Sequence, residues 1–168
     1  MRERVAIVGY MGCGKSTVGR LLAGRLGAEF VDLDEAVARS AGRSIPLIFA
    51  ERGEEGFRGL EHGQLAEALR PGSAPRVIAC GGGAVLREDN RRLLRERAAT
   101  VFLEEDLRRL YARTRAADRP LRGASFEEFC RRYELRLPLY REVADLTVGV
   151  DGRGAEEVAE EIARWLGA

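Results

Sequence analysis

Short apolar runs alternate with longer amphipathic stretches from one end of the chain to the other. Mostly apolar runs, as expected for strands buried on both faces, occupy residues 5–8, 30–33, 76–80, 100–103 and 146–150. Between these runs, and after the last of them, apolar residues recur three or four positions apart, which predicts helices. Strands and helices in alternation predict an α/β fold with a five-stranded parallel sheet flanked by helices.

Glycine, serine and proline positions indicate where several of these helices begin and end. Residues 16–26 form the first predicted helix, and Gly27 ends it because glycine readily takes the left-handed conformation of helix C-termini. A second helix is expected at about residues 35–41. Ser44 as a cap and Pro46 in the first turn then predict the start of a longer helix.

The segment at residues 115–125 lies between the fourth and fifth predicted strands and shows neither the helical spacing nor the apolar run of a strand. It mixes alanine, glycine, proline and charged residues, and we expect it to form a mobile lid. Ser125 and Glu128 fit a capping box, which predicts that a new helix starts there. Because no repeat or linker interrupts the 168 residues, we expect a single domain over residues 1–168.

Charge and composition exclude some classes of partner. The 28 basic and 27 acidic side chains give a net charge of +1, so no overall field favours nucleic acid or an anionic membrane. No apolar run approaches the ~20 residues that span a bilayer. Cys13, Cys80 and Cys130 lack paired spacing, which fits reduced thiols, and no apolar secretory segment opens the chain. We therefore expect a cytoplasmic protein, acting as a monomer.

Residues 9–16, with the sequence GYMGCGKS, match the P-loop pattern G-x-x-x-x-G-K-[ST] and lie between a predicted strand and a predicted helix. Backbone amides and the helix N-terminus would hold phosphates there, Lys15 would bridge the β- and γ-phosphates, and Ser16 would bind Mg²⁺. Lys15 is the only lysine in the chain, and a glycine turn used merely for packing does not explain it. We predict nucleotide contacts from Gly12, Cys13, Gly14, Lys15, Ser16 and Thr17.

A carboxylate pair lies at the end of the second predicted strand. The strand ends with VDLD at residues 31–34, and alternation along it places the carboxylates of Asp32 and Asp34 on one side, near the γ-phosphate. This arrangement predicts a catalytic pair. The alternative is that one of the two caps the following helix, because aspartate is a favoured N-cap residue.

Several motifs occur together in the order and approximate spacing of one family. They are the P-loop, the pair Asp32 and Asp34, the sequence FRGLE at residues 57–61, the glycines at 81–83, RPL at 119–121 and RLPLY at 136–140. Over nearly its whole length the chain resembles shikimate kinases. The resemblance implies a nucleoside-monophosphate-kinase-like fold, with a substrate-binding helical segment at about residues 35–62 and the lid at about 115–125. It also implies transfer of the ATP γ-phosphoryl group to the 3-hydroxyl of shikimate.

The resemblance assigns the acceptor site. Arg58 and Arg136 would hold the shikimate carboxylate, which guanidinium groups bind through two parallel hydrogen bonds. Asp34 would accept the hydroxyl and act as the candidate base, while Glu61, three residues after Arg58, would orient that arginine. The backbone of Gly81, Gly82 and Gly83 could approach the same ligand, since no Cβ intervenes. Without the family resemblance, a glycine triplet would more simply indicate a turn.

The resemblance also assigns the nucleotide side. Asp32 would hold Mg²⁺ through water, Arg119 in the lid would close on the phosphates, and Arg113 and Arg153 would flank the adenine. Taken singly, Arg58, Arg113 and Arg153 favour a solvated surface position, and only their fit to the family's order reverses that interpretation. His62 has no second ligand at suitable spacing and is interpreted as a surface or packing residue.

Two alternatives stay open. A related kinase could act on another sugar acid such as gluconate, although two separated arginines with the aspartate pair favour shikimate. A regulatory module could have kept the P-loop and lost the chemistry, although the base, magnesium and lid positions are all filled.

Overall fold

The computed structural model describes residues 3–72, 74–114 and 125–168. Five strands in this part of the chain form one sheet in which every pair is parallel. They are β1 (Arg4–Val8), β2 (Glu29–Asp32), β3 (Arg76–Ala79), β4 (Ala99–Glu104) and β5 (Leu146–Gly149). The strand order is β2-β3-β1-β4-β5, so the predicted five-stranded parallel sheet is confirmed.

Seven α-helices connect and follow the strands in the described residues. They are α1 (Lys15–Leu26), α2 (Leu33–Ala41), α3 (Ile45–Ala68), α4 (Glu88–Arg97), α5 (Leu107–Thr114), α6 (Phe126–Val143) and α7 (Ala155–Trp165). Gly27 ends α1 in the left-handed conformation, as predicted. Gly53, with φ 67° and ψ −176°, breaks α3 into two helical parts.

The sheet is covered on both faces. All five residues of β1 are buried, and successive strand residues point to opposite faces, so neither face of the central strand meets water. Helix α1 contacts α7 and the first three strands, while α4 and α6 contact each other and β4. Burial on both faces explains why the inner strands β1, β3 and β4 show continuous apolar runs and not an alternation.

The strand order determines where a site can form. Because β3 lies between β2 and β1, the carboxyl ends of these three parallel strands meet at one edge, where open α/β sheets bind ligands. The loop after β1, the start of α2 and the glycines after β3 therefore converge.

The segment after α5 divides into a described and an undescribed part. Ser125 caps α6, its hydroxyl oxygen accepting a 3.2 Å hydrogen bond from the amide of Glu128, which confirms the predicted helix start. The rest of the expected lid, residues 115–124 with Arg119, lies outside the described residues. Within the described residues, none of the helices combines the length and the apolar character needed to cross a membrane.

Candidate active site

The loop between β1 and α1 has the geometry of a phosphate site. Gly12 and Gly14 have φ values of 86° and 87°, which side-chain-bearing residues rarely adopt. Helix α1 begins directly after Gly14, and no side chain among the described residues caps its N-terminus. The first amides of α1 therefore remain free to bind an anion, with the helix dipole in support.

The single lysine is held over this loop. Nζ of Lys15 donates to the carbonyl oxygens of Gly9 at 2.8 Å and Tyr10 at 2.9 Å, and it lies 3.7 Å from Sγ of Cys13. The ammonium group thus sits inside the P-loop. A bound phosphate competes with these two carbonyls for it.

The junction of β2 and α2 corrects the predicted carboxylate pair. The strand ends at Asp32, and Asp34 lies in the first turn of α2, so strand alternation does not place the two side chains. Oδ1 of Asp32 accepts from the amides of Asp34 at 3.1 Å and Glu35 at 3.2 Å. The capping alternative is therefore correct for Asp32, because these amides lack helical partners. The other oxygen, Oδ2, accepts a 2.5 Å hydrogen bond from the Ser16 hydroxyl.

Asp34 still reaches the site, because two carboxylates converge on Gly81. A Cβ at Gly81 would lie 2.7 Å from Oε2 of Glu61 and 3.0 Å from Oδ1 of Asp34. Any residue larger than glycine would displace one of them. The first glycine of the triplet is thus required by the side chains packed over it, which a simple turn would not explain.

Arg58 and Glu61 form a buried ion pair on α3. Nη1 of Arg58 donates to Oε1 of Glu61 at 2.9 Å, and the two side chains are 8% and 0% exposed. The predicted contact between them is present. Burial raises the pKa of Glu61; Arg58 opposes this shift and Asp34 adds to it. Oε2 of Glu61 is buried and has no hydrogen-bond partner among the described residues.

The other two glycines of the triplet are packed by arginines and a tyrosine. A Cβ on Gly83 would overlap the Arg58 guanidinium, and one on Gly82 would lie 3.7 Å from Nη1 of Arg136. The Tyr140 hydroxyl donates to the Gly82 carbonyl at 2.5 Å. Arg136, on α6, is buried like Arg58. Two neighbouring glycines of the triplet therefore pack against the two arginines that the sequence singled out.

One cavity of about 690 Å³ connects the P-loop with these groups. Most of the predicted site residues line it: Gly12, Gly14, Lys15, Ser16, Thr17, Asp32, Asp34, Arg58, Glu61, Gly81, Gly82, Gly83, Arg113 and Arg136. Its volume suits a drug-sized ligand or larger. The P-loop and the two buried arginines thus line one space.

Three predicted residues are not part of this lining. The Cys13 side chain is buried, and Arg153 is bound by Glu157 at 2.8 Å and Glu161 at 2.6 Å on α7. Arg119 falls outside the described residues. Contacts of Cys13, Arg119 and Arg153 with a nucleotide stay predictions.

An apolar wall of the cavity was not predicted from the sequence. Ile45, Pro46, Phe49 and Phe57 line it, and the rings of Phe49 and Phe57 stack with centroids 4.7 Å apart. These apolar residues recur at helical spacing, which is also typical of a helix face packed in the core. His62 is a packing residue, as interpreted, with Nδ1 2.6 Å from Oδ1 of the buried Asn90.

Comparison with known proteins agrees with this site. The shikimate kinase family model matches residues 11–167. A shikimate kinase of Chromohalobacter salexigens is 45% identical, with 95% of this chain and 89% of that protein covered. One from Marinomonas sp. is 40% identical over 94% and 88%. The structure of shikimate kinase from Acinetobacter baumannii in complex with shikimate superimposes with a TM-score of 0.91, at 37% identity over 97% of this chain and 92% of that one. The chain belongs to the shikimate kinase family.

Proposed function

We propose that the chain transfers the γ-phosphoryl group of ATP to the 3-hydroxyl of shikimate, giving 3-phosphoshikimate and ADP. One observation carries this proposal: a single cavity joins a P-loop to two buried arginines from separate helices, Arg58 on α3 and Arg136 on α6. A P-loop alone supports only ATP binding. The two fixed cations add a site for an acid.

The acceptor end suits a small carboxylate with several hydroxyl groups. Arg58 lies beside Gly83 and Arg136 lies near Gly82, and the two guanidinium groups can hold a carboxylate together. Glu61 keeps the Arg58 guanidinium in place through Oε1. The buried Oε2 of Glu61 can accept from a substrate hydroxyl.

Asp34 is the group we assign to the reacting hydroxyl. Its carboxylate lies beside Gly81 in the cavity and can accept the hydroxyl proton as the oxygen attacks phosphorus. Cations stabilise the charge that develops on the phosphoryl group. Lys15 supplies one cation at the P-loop, and we assign a second to Arg119, in residues 115–124. Positioning and electrostatics therefore provide most of the catalysis.

The nucleotide end follows from the P-loop and its neighbours. We assign the phosphates to the amides of residues 12–17 and to Lys15, which moves from the Gly9 and Tyr10 carbonyls to the phosphate oxygens. We assign the adenine to the region of Arg113 and Arg153.

Ser16 and Asp32 fit a Mg²⁺ site. Their oxygens lie 2.5 Å apart, and oxygen is the ligand that Mg²⁺ prefers. The described residues hold no group of three or more histidine, cysteine or acidic side chains able to bind a metal. Mg²⁺ usually keeps several waters and shares phosphate oxygens, so it needs few protein ligands. We propose that Ser16 binds it directly and Asp32 through water; the ion supplies neutralisation of phosphate charge.

ADP release against a panel of acceptors tests the proposal. Shikimate should give turnover far above the ATPase background, while gluconate and nucleoside monophosphates should not. Turnover with gluconate in place of shikimate would support the related-kinase alternative. Background release with every acceptor, together with intact ATP binding, would support the regulatory module.

We propose a monomer as the working unit, because every group assigned above comes from one chain. Light scattering across an enzyme dilution series tests this: specific activity should stay constant while the mass remains that of one chain. Activity that falls as a dimer dissociates would contradict it.

A further inference from the structure

Glu105, directly after β4, is a buried carboxylate that the proposed reaction does not use. Its side chain is 1% exposed, and both of its oxygens accept from Arg113: Nη1 donates to Oε2 at 2.7 Å, and Nη2 donates to Oε1. Burying a carboxylate is costly and requires good compensation. The compensating cation is itself 51% exposed and lines the active-site cavity.

Arg113 joins this carboxylate to the P-loop. The same Nη1 atom donates to the carbonyl oxygen of Gly12 at 2.8 Å. The other end of that peptide unit, the amide of Cys13, makes only a 3.4 Å hydrogen bond to the Tyr10 carbonyl. Because a peptide unit is planar, fixing its carbonyl fixes the direction of its amide. A chain of hydrogen bonds therefore connects Glu105, through Arg113, to a P-loop peptide unit.

Helix α5 braces the same glycine. A Cβ at Gly12 would lie 3.2 Å from Cγ2 of Thr114 and 3.4 Å from the carbonyl oxygen of Leu110. The P-loop thus lies against the last turn of α5, and Arg113 completes that contact with a charge-assisted hydrogen bond. The loop's conformation depends on where α5 holds this arginine.

We propose that Glu105 is a positioning residue for nucleotide binding: it fixes the Arg113 guanidinium, which fixes the Gly12–Cys13 peptide of the P-loop. The proposal rests on the assignment of the P-loop to ATP and is independent of the acceptor. Apolar side chains of similar volume can often replace both partners of a buried ion pair at little cost, so stability alone does not explain this pair. Its pairing with a cavity-lining arginine is what links it to the ligand.

Titration calorimetry with ATP alone, without acceptor, tests this role. Glu105→Gln removes one charge of the pair and should weaken ATP binding about tenfold, as expected for loss of a charged hydrogen bond. The matched control is Glu104→Gln, which removes a partly exposed ion pair to Arg141 at the preceding position and should change ATP affinity less than about twofold. In turnover, Glu105→Gln should raise the KM for ATP and leave the KM for shikimate unchanged.

A double-mutant cycle separates positioning from general stability. On an Arg113→Ala background, Glu105→Gln should cause no further loss of ATP affinity. If Glu105→Gln fails to fold, Glu105→Asp keeps the buried charge but draws it back by one methylene, and it should show the same pattern. Wild-type ATP affinity in the folded variant, or an equal loss on the Arg113→Ala background, would overturn the proposal. Either result leaves the proposed acceptor untouched, because shikimate-dependent ADP release tests that proposal separately.

Discussion

The Arg58 guanidinium donates to the Glu61 carboxylate at 2.9 Å, with both side chains almost completely removed from solvent. The pair is three residues apart on α3, so the helix itself holds the two groups on one face. Breaking a buried pair leaves an uncompensated charge. The proposed acceptor site therefore depends on a contact that also affects stability.

Glu61→Gln should change how stability depends on pH. Burial raises the pKa of Glu61 in the folded state above its ordinary 4.5, so the folded protein binds this proton more tightly than the unfolded chain. The stabilising contribution is fully present below pH 4.5 and is lost as pH rises through the folded-state pKa. Glutamine does not titrate. In urea unfolding from pH 4 upward, the wild-type free energy of unfolding should fall relative to that of Glu61→Gln. If the wild-type value stays constant or rises relative to that of the variant, the assignment is contradicted.

Gly83→Ala should damage acceptor binding selectively. Its Cβ would overlap the Arg58 guanidinium, which must shift and lose its alignment with a carboxylate. We expect the KM for shikimate to rise by about tenfold or more, with the KM for ATP little changed. Gly63→Ala, on the exposed side of α3 with open space around it, is the control and should stabilise the protein by roughly 0.5–1 kcal/mol. An unchanged shikimate KM in Gly83→Ala would show that Arg58 does not bind the acid.

Lys15 should tolerate neither removal nor exchange for arginine. Lys15→Ala deletes the ammonium that the loop carbonyls hold, and turnover should fall at least about 100-fold. Lys15→Arg keeps the charge, but a planar fork does not fit where a compact ammonium sits. Steady-state kinetics should therefore find both variants nearly inactive with unchanged melting temperatures. An active Lys15→Arg enzyme would mean that charge alone suffices.

Arg136→Ala should weaken acceptor binding without affecting the nucleotide. Loss of a charged hydrogen bond of about 1.5–3 kcal/mol should appear as a higher KM for shikimate. Arg141→Ala is the matched control, because Arg141 lies on the same helix with its side chain 61% exposed. Equal shikimate KM values for the two variants would remove Arg136 from the acid site.

Elements whose signal is local could be predicted from the sequence. The sheet follows from buried apolar runs, and the P-loop follows from glycine positions between a strand and a helix. The end of β2 was predicted two residues too late. Asp32 ends the strand by accepting from the amides of the next turn, and this competition between capping and extension is decided by the folded geometry.

Contacts between distant segments could not be derived from pattern alone. Arg58 and Arg136 are 78 positions apart, and in the sequence only the family resemblance places them at one site. The structure shows neighbouring glycines, Gly83 and Gly82, packed against them. Glu105 belongs to a run of acidic residues, a pattern that predicts a solvent-exposed surface. Its burial depends on the path of α5, which the run itself does not encode.

Shikimate-dependent ADP release by Asp34→Asn tests the central assignment most directly, since the amide keeps the shape of the carboxylate but cannot take a proton. The account predicts that this variant binds ATP as the wild type does while kcat falls about 100-fold or more. A wild-type kcat with shikimate would contradict it and remove Asp34 from the reacting hydroxyl.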